Sequence, residues 1–309
     1  MATVLITGGT GLIGNNLTRH LTNRGYHVII MSRKTIHSHD KPMVTYAKWN
    51  INDEKMDMDA IAKADYIINL AGAGVMDKKW TKKYKKEIVE SRTKSSELLI
   101  KALQHPNKVK AIIAASAIGW YGRDAKPLHK NGFIETDPPD KNFLGETCRL
   151  WEERIEPATI LHKRVVKLRT GIVLSNEGGA LAEFKKPLRF GIAAILGSGK
   201  QIISWIHIDD LCRMYIYAIE NEKLSGSYNA VAPAPVNNKQ LILKLAKIIR
   251  GEFYIPIHVP QFLLKLILGE RSIEILKSTT VSNEKIKAEG FIFLYPSIGV
   301  ALKSLCKKN

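Results

Sequence analysis

Residues 3–24 constrain this chain more than any other stretch. Thr3-Val4-Leu5-Ile6 is an apolar, β-branched run suited to a buried strand. Thr7-Gly8-Gly9-Thr10-Gly11-Leu12-Ile13-Gly14 turns sharply out of it, and Asn15 to Arg24 carries the pattern of an amphipathic helix. Strand, glycine-rich turn and helix in that order build a diphosphate cradle. The glycines allow a tight turn and close backbone approach, and the opening of the helix offers unpaired N–H groups to an anion. Dinucleotide binding is therefore expected, with Gly8, Thr10, Gly11, Leu12, Ile13 and Gly14 lining the cradle.

The rest of the first half repeats this alternation. His27–Met31, Asp65–Leu70, Lys110–Ser116 and Arg164–Arg169 are strand-like apolar runs, and a helix is predicted from about Lys82 to Leu103, stopped before Pro106. Apolar runs separated by helices indicate a parallel sheet covered on both faces, with ligands at the carboxyl ends of its strands. The glycine turn, Ser32-Arg33, Leu70-Ala71-Gly72 and Ser116 all fall there.

From about Ser175 short apolar pieces alternate with glycine-rich loops. The fold class expected is α/β, a Rossmann-type doubly wound parallel sheet over residues 1–174, to which about 203–232 returns. A smaller C-terminal α/β substrate lobe occupies 175–309. Ile202–Ile208 reads as one strand, Asp210 as the cap of a helix running to about Glu220, and Ser227–Val231 as a strand of the large sheet. Asn237 with Gln240 forms a capping box, Gly251 closes that helix, and short helices are predicted at Gln261–Leu268 and Ser282–Glu289.

Composition narrows the partners. At 45% hydrophobic and 25% charged residues, with no apolar run as long as a membrane span, the pattern is that of a globular protein. With a strand starting at residue 3, no signal peptide is expected. Cys148, Cys212 and Cys306, odd in number and far apart, fit free thiols, so a cytoplasmic location is expected. The formal charge is +18, and Lys78–Lys86 interleaves lysines with Trp80 and Tyr84. Trp80, Tyr84, Ile88 and Arg92 recur at helical spacing while the lysines take the other positions, which describes a solvated helix face better than a nucleic-acid surface. A small-molecule substrate, anionic or nucleotide-linked, is the expected partner, and a homodimer is compatible with the sequence. No His/Cys/carboxylate cluster has metal-ligand spacing, so no metal is expected. Gly199-Lys200 hints at a P-loop, but Ala194 stands where its first glycine belongs and Gln201 replaces the Ser/Thr.

About twenty residues past such a glycine turn, proteins preferring NAD place a carboxylate for the ribose hydroxyl. Strand two here ends Met31-Ser32-Arg33-Lys34. A hydroxyl beside a forked guanidinium suits a 2′-phosphate, so NADP(H) is the expected cofactor, held by Ser32 and Arg33.

With these pieces in place the chain resembles the atypical extended short-chain dehydrogenase/reductases, in particular their epimerase-like, YfcH-type branch. The residues carrying the likeness are Thr7–Gly14, Ser32-Arg33-Lys34, Asn69-Leu70-Ala71-Gly72, Trp80 with Ser91-Arg92, and Ser116 with Trp120-Tyr121-Gly122. Arg169-Thr170-Gly171, Gly197–Gln201, Trp205–Asp210 and Gly290-Phe291 continue it over nearly the whole length. The resemblance implies a Rossmann lobe, a small lobe closing over substrate, and cofactor contacts from Leu70, Ala71 and Gly72. It also implies hydride transfer on a carbonyl or alcohol. One departure stands out. Typical members carry Tyr-x-x-x-Lys on a helix, and the corresponding positions here are Leu144 and Cys148. Leu144 cannot exchange a proton, and Cys148 is no cation. Ser116 and Tyr121 are the candidate catalytic hydroxyls, while His207, set between Ile206 and Ile208, reads as structural. Nucleotide-sugar epimerisation, or a catalytically silent NADPH-binding sensor or assembly factor related to cell division, are the alternatives.

Overall fold

The protein is described here from a computed structural model covering residues 1–34, 42–124 and 132–307. Its strands are β1 (Thr3–Thr7), β2 (His27–Ser32), β3 (Val44–Asn50), β4 (Lys55–Met56), β5 (Tyr66–Asn69), β6 (Ala111–Ala117) and β7 (Arg164–Thr170), followed by β8 (Ile172–Ser175) and β9 (Gly178–Gly179). Then come β10 (Ile192–Leu196), β11 (Ile202–Ile203), β12 (Trp205–His207), β13 (Gly226–Ala230), β14 (Val236–Asn237) and β15 (Ile255–Val259). The helices that matter most are α1 (Leu12–Thr22), α2 (Met58–Lys63), α3 (Lys82–Leu103), α4 (Phe143–Ile155), α5 (Ala180–Leu188), α6 (Ile208–Glu220) and α7 (Asn238–Arg250).

Eight strands form the large sheet in the order β13-β7-β6-β5-β1-β2-β3-β4, parallel throughout except for the short antiparallel β4. Side-chain alternation divides each strand between two layers. Val4, Ile6, Ile68 and Ile113 share a core with Leu17 and Leu21 of α1 and Leu211 and Tyr215 of α6. Leu5, Ile67 and Ile112 share the other with Ile61 of α2 and Leu98 and Leu99 of α3. Each such aliphatic side chain contributes about 1.5–3 kcal/mol on burial. This double burial explains why the strand sequences read as unbroken apolar runs.

The order change between β1 and its neighbours β2 and β5 places the glycine turn at the centre of the carboxyl edge. The smaller lobe reaches back over this edge. Arg271 Nη1 donates to Met76 O at 2.7 Å, and Lys85 pairs with Glu270.

Several local expectations shift. α1 starts at Leu12 rather than Asn15, so the turn is shorter and its last residues are helical. Ile202–Ile208 is divided at Ser204: β11 pairs antiparallel with β14, and β12 pairs parallel with β8. Of residues 203–232, Gly226–Ala230 joins the large sheet beside β7. The N-cap of α6 is His207, whose ring accepts from Asp209 N, whereas Asp210 lies inside the helix and receives the backbone N–H groups of Leu294 and Tyr295. The helix expected at Ser282–Glu289 covers only Glu284–Ala288, and a further helix, Ile298–Cys306, follows it. The Asn237/Gln240 capping box and its Gly251 terminus form as expected.

Candidate active site

The cradle is built from the end of β1. Thr7 Oγ1 donates to Asn69 Oδ1 at 2.6 Å and accepts from Ala71 N at 3.2 Å, tying the ends of β1 and β5 together. Gly8 then takes φ +69°, and a Cβ there would lie 2.9 Å from the Leu70 carbonyl carbon and oxygen. Gly14 closes the turn onto itself, since its Cβ would sit 2.5 Å from Gly9 Cα and 2.6 Å from Gly8 O. Gly11 N-caps α1 with no side-chain cap and no acidic residue in the first turn. The first-turn N–H groups of Leu12, Ile13 and Gly14 are thus left to an external acceptor. These residues fit a diphosphate: there is no room for a side chain, unpaired donors are present, and Thr10 and Gly11 are exposed.

On the β2 side, Ser32 is buried with Oγ accepting from Lys34 N at 3.1 Å, and Arg33 is exposed beside it. On the β5 side, Leu70-Ala71-Gly72 runs past Gly8 toward α3, where a Cβ on Gly72 would lie 3.0 Å from Arg92 Cζ. The six cradle residues and these five therefore occupy one continuous carboxyl edge.

Ser116 and Tyr121 lie elsewhere in that neighbourhood than their sequence positions suggested. Ser116 shares strand parity with Ile112 and Ala114 and turns into the layer of α4, where Oγ donates to Glu152 Oε1 at 2.7 Å. Glu152 is clamped by Arg169, Nε to Oε1 at 2.8 Å and Nη2 to Oε2 at 3.0 Å, and accepts from Ser227 Oγ at 3.1 Å. Burial works against the Arg169 charge, but Glu152 outweighs it and holds the guanidinium above its ordinary range. Arg169 also lies 3.6 Å from the Trp120 ring centre and donates to Tyr121 Oη at 3.1 Å. Tyr121 is 0% exposed, stacked on Phe133, and donates to Asn229 Oδ1 at 2.7 Å. Burial pushes its phenol up to about 12. Both hydroxyls belong to one buried hydrogen-bond network.

The surface beside the end of β6 is apolar instead. A Cβ on Gly119 would lie 3.3 Å from Leu144 Cβ and 3.6 Å from Cys148 Sγ, so both residues face that turn from α4. Burial pushes the Cys148 thiol up to about 12, which keeps it neutral and unreactive. His207 is sealed at the start of α6 and stacked on Tyr295 with ring centres 3.6 Å apart, a structural setting. Gln201 is buried and donates to Leu196 O, so the loop resembling a P-loop is held by its own glutamine.

Three charged residues of this region were missed as such: Glu152, Arg169 and Arg92. The signal for Arg92 was present, because it continues the buried i, i+4 stripe of Tyr84 and Ile88 on α3.

A doubly wound parallel sheet whose first strand opens into an uncapped glycine turn defines a Rossmann-type protein of the short-chain dehydrogenase/reductase class. The chain belongs to the epimerase family within it. Residues 4–143 match the NAD dependent epimerase/dehydratase family, and residues 259–305 match a domain of unknown function, DUF1731. Epimerase family protein YfhF of Bacillus subtilis (strain 168) is 35% identical over 303 residues, covering 98% of this chain and 97% of its own. The crystal structure of human epimerase family protein SDR39U1 (isoform 2) with NADPH superposes with a TM-score of 0.84 at 28% identity, covering 98% of each chain. A nucleoside-diphosphate sugar epimerase from Corynebacterium glutamicum gives 0.77 at 30% identity, covering 98% of this chain and 58% of that one. Among the described residues, no helix is long and apolar enough to cross a membrane.

Proposed function

We propose that this chain is an NADP(H)-binding oxidoreductase-like protein that acts on a carbonyl or alcohol group from an active site lacking Tyr-x-x-x-Lys. The observation that carries the reading is the cradle, where Gly8 presses on Leu70 and the opening of α1 has no side-chain cap. The amides of Leu12, Ile13 and Gly14 would hold the diphosphate, Ser32 and Arg33 the 2′-phosphate, and Leu70-Ala71-Gly72 would floor the second ribose. A bound nicotinamide supplies or accepts hydride. NADPH in the human relative's crystal structure supports the cofactor assignment, and the sugar epimerase likeness supports a nucleotide-linked substrate. Ser116 and Tyr121 serve here as positioning residues, fixing the end of β6 through Glu152, Arg169 and Asn229.

The apolar pair Leu144 and Cys148 favours a second reading, a protein that binds NADPH without turnover and acts as a sensor or assembly factor. Calorimetry with NADPH and NADH, followed by a screen of carbonyl compounds and nucleoside-diphosphate sugars, separates the two. Loss of reduced-nicotinamide fluorescence or appearance of an epimer selects the enzyme. Tight NADPH binding with neither selects the second reading, and absence of binding to either nucleotide overturns both.

A further inference from the structure

The most buried arginine besides Arg92, Arg169, meets the carboxylate of Glu152, and half-buried Arg164, which bonds only backbone carbonyls, spends both terminal nitrogens on Ala218 O, Leu224 O and Ile219 O. Arg92 does neither. It is 9% exposed, yet it has no carboxylate partner among the described residues. Its Nη1 donates to Ala73 O at 3.0 Å and Ile88 O at 2.9 Å, and its Cζ lies 4.9 Å from the Trp151 ring centre. Among the described residues, neither Nε nor Nη2 has a hydrogen-bond partner. Nor are they among the buried polar atoms sealed from solvent, unlike Trp151 Nε1. Burial works against its charge, and the ionisable groups that support it, Cys148 and Tyr84, are themselves held neutral near pH 7 by burial. A desolvated cation without a counter-charge costs several kcal/mol. Two carbonyls and an aromatic face offset only part of that.

Its position indicates what completes the set. Cζ would be 3.0 Å from a Cβ on Gly72, and Gly72 is reached from Gly8 by way of Leu70 and Ala71. β2, carrying Ser32 and Arg33, lies on one side of β1, while β5 and β6 lie on the other. A dinucleotide whose adenosine phosphate meets Arg33 must extend its other half over β5, toward Arg92.

We infer that Arg92 is a ligand-binding residue whose free guanidinium edge receives oxygen atoms of the ligand's second half, the ribose hydroxyls next to the nicotinamide, and places positive charge beside the reacting carbonyl. The inference rests on the NADP(H) reading, and the experiment keeps the two apart. Titration calorimetry compares NADPH with adenosine 2′,5′-bisphosphate, which retains the adenosine and its 2′-phosphate and lacks the second ribose. Wild type, Arg92→Gln, Arg92→Lys and Arg33→Ala are measured with both. Arg92→Gln is expected to weaken NADPH by about tenfold or more, the scale of a lost charge-assisted hydrogen bond. The same variant should leave the bisphosphate within about twofold of wild type, the margin expected for a contact never made. Arg92→Lys should recover part of the loss, and Arg33→Ala should weaken both ligands. Unchanged bisphosphate affinity also certifies that the cradle has folded. If Arg92→Gln does not fold, Arg92→Lys is read the same way. Equal effects on the two ligands, or none on either, would overturn the role of Arg92 while leaving the cofactor reading intact. Failure of wild type to bind NADPH would sink both.

Discussion

Glu152 and Arg169 face each other through two parallel hydrogen bonds, with 7% and 4% of their side chains exposed. One comes from α4 and the other from β7, so the pair fixes the helix that carries Leu144 and Cys148 against the sheet. Removing one member of a buried pair strands the other charge, at a cost of about 3–5 kcal/mol. Glu152→Ala should lose that much stability in urea titration. The double variant Glu152→Met with Arg169→Met should recover much of it. A Glu152→Ala loss below about 1 kcal/mol, the range of exposed pairs, would mean that the pair is hydrated and holds nothing in place.

Ser116→Ala removes one donor from Glu152 while Arg169 and Ser227 continue to satisfy that carboxylate. The expected result is a stability loss of about 1–2 kcal/mol with NADPH affinity unchanged. Any turnover found with a substrate should survive as well. A proton-exchanging Ser116 would instead show a fall in rate of about two to four orders of magnitude, with stability little altered.

The glycine turn gives a contrast between two substitutions. A Cβ at Gly14 would meet Gly9 Cα and Gly8 O at 2.5 and 2.6 Å, backbone atoms that cannot step aside. Gly11 has φ −81° and its Cβ would meet only Gly8 O, at 3.4 Å. Gly14→Ala should therefore lower the melting temperature and abolish NADPH binding together. Gly11→Ala should melt as wild type and lose affinity only, because its methyl would stand on the exposed face of the cradle. Identical melting of the two variants would contradict the steric account.

Much of this architecture was legible because parallel strands buried on both faces must be largely apolar, and β1, β2, β5 and β6 announce themselves that way, while β7 shows it only in Val165, Val166 and Leu168 between charged residues. β3 was not legible. Val44-Thr45-Tyr46-Ala47-Lys48-Trp49 mixes exposed and buried positions near the sheet edge and offers no unbroken run. The cradle could be read because its glycines answer local backbone demands. The surroundings of Ser116 and Tyr121 could not, since their hydroxyls bond Glu152 and Asn229, which lie 36 and 108 residues away. Strand parity was the available signal for the burial of Ser116, as it shares a face with Ile112 and Ala114. Arg92 was legible in part: its spacing set it on the stripe of Tyr84 and Ile88, apart from the lysines, but nothing in the sequence told what its charge faces.

His207 ties the start of α6 to the pH of the solution. Its Nδ1 accepts from Asp209 N at 3.1 Å, so the neutral ring carries its proton on Nε2, which is sealed and has no partner. Burial lowers its pKa below the ordinary histidine value, Asp209 and Asp210 oppose that shift, and His20 adds to it. Tyr295 stacks on the ring. Between the lowered folded value and about 6.5 in the unfolded chain, the unfolded state binds more protons. Stability from this residue is therefore complete above about pH 6.5 and is lost as pH falls through the folded value. His207→Asn retains an acceptor for Asp209 N and cannot titrate. Thermal melts from about pH 8 down to about pH 5, the range in which histidine changes charge, should fall less steeply for this variant than for wild type. Parallel melting curves across that range would show that the ring is already protonated in the fold, with its second N–H satisfied by water.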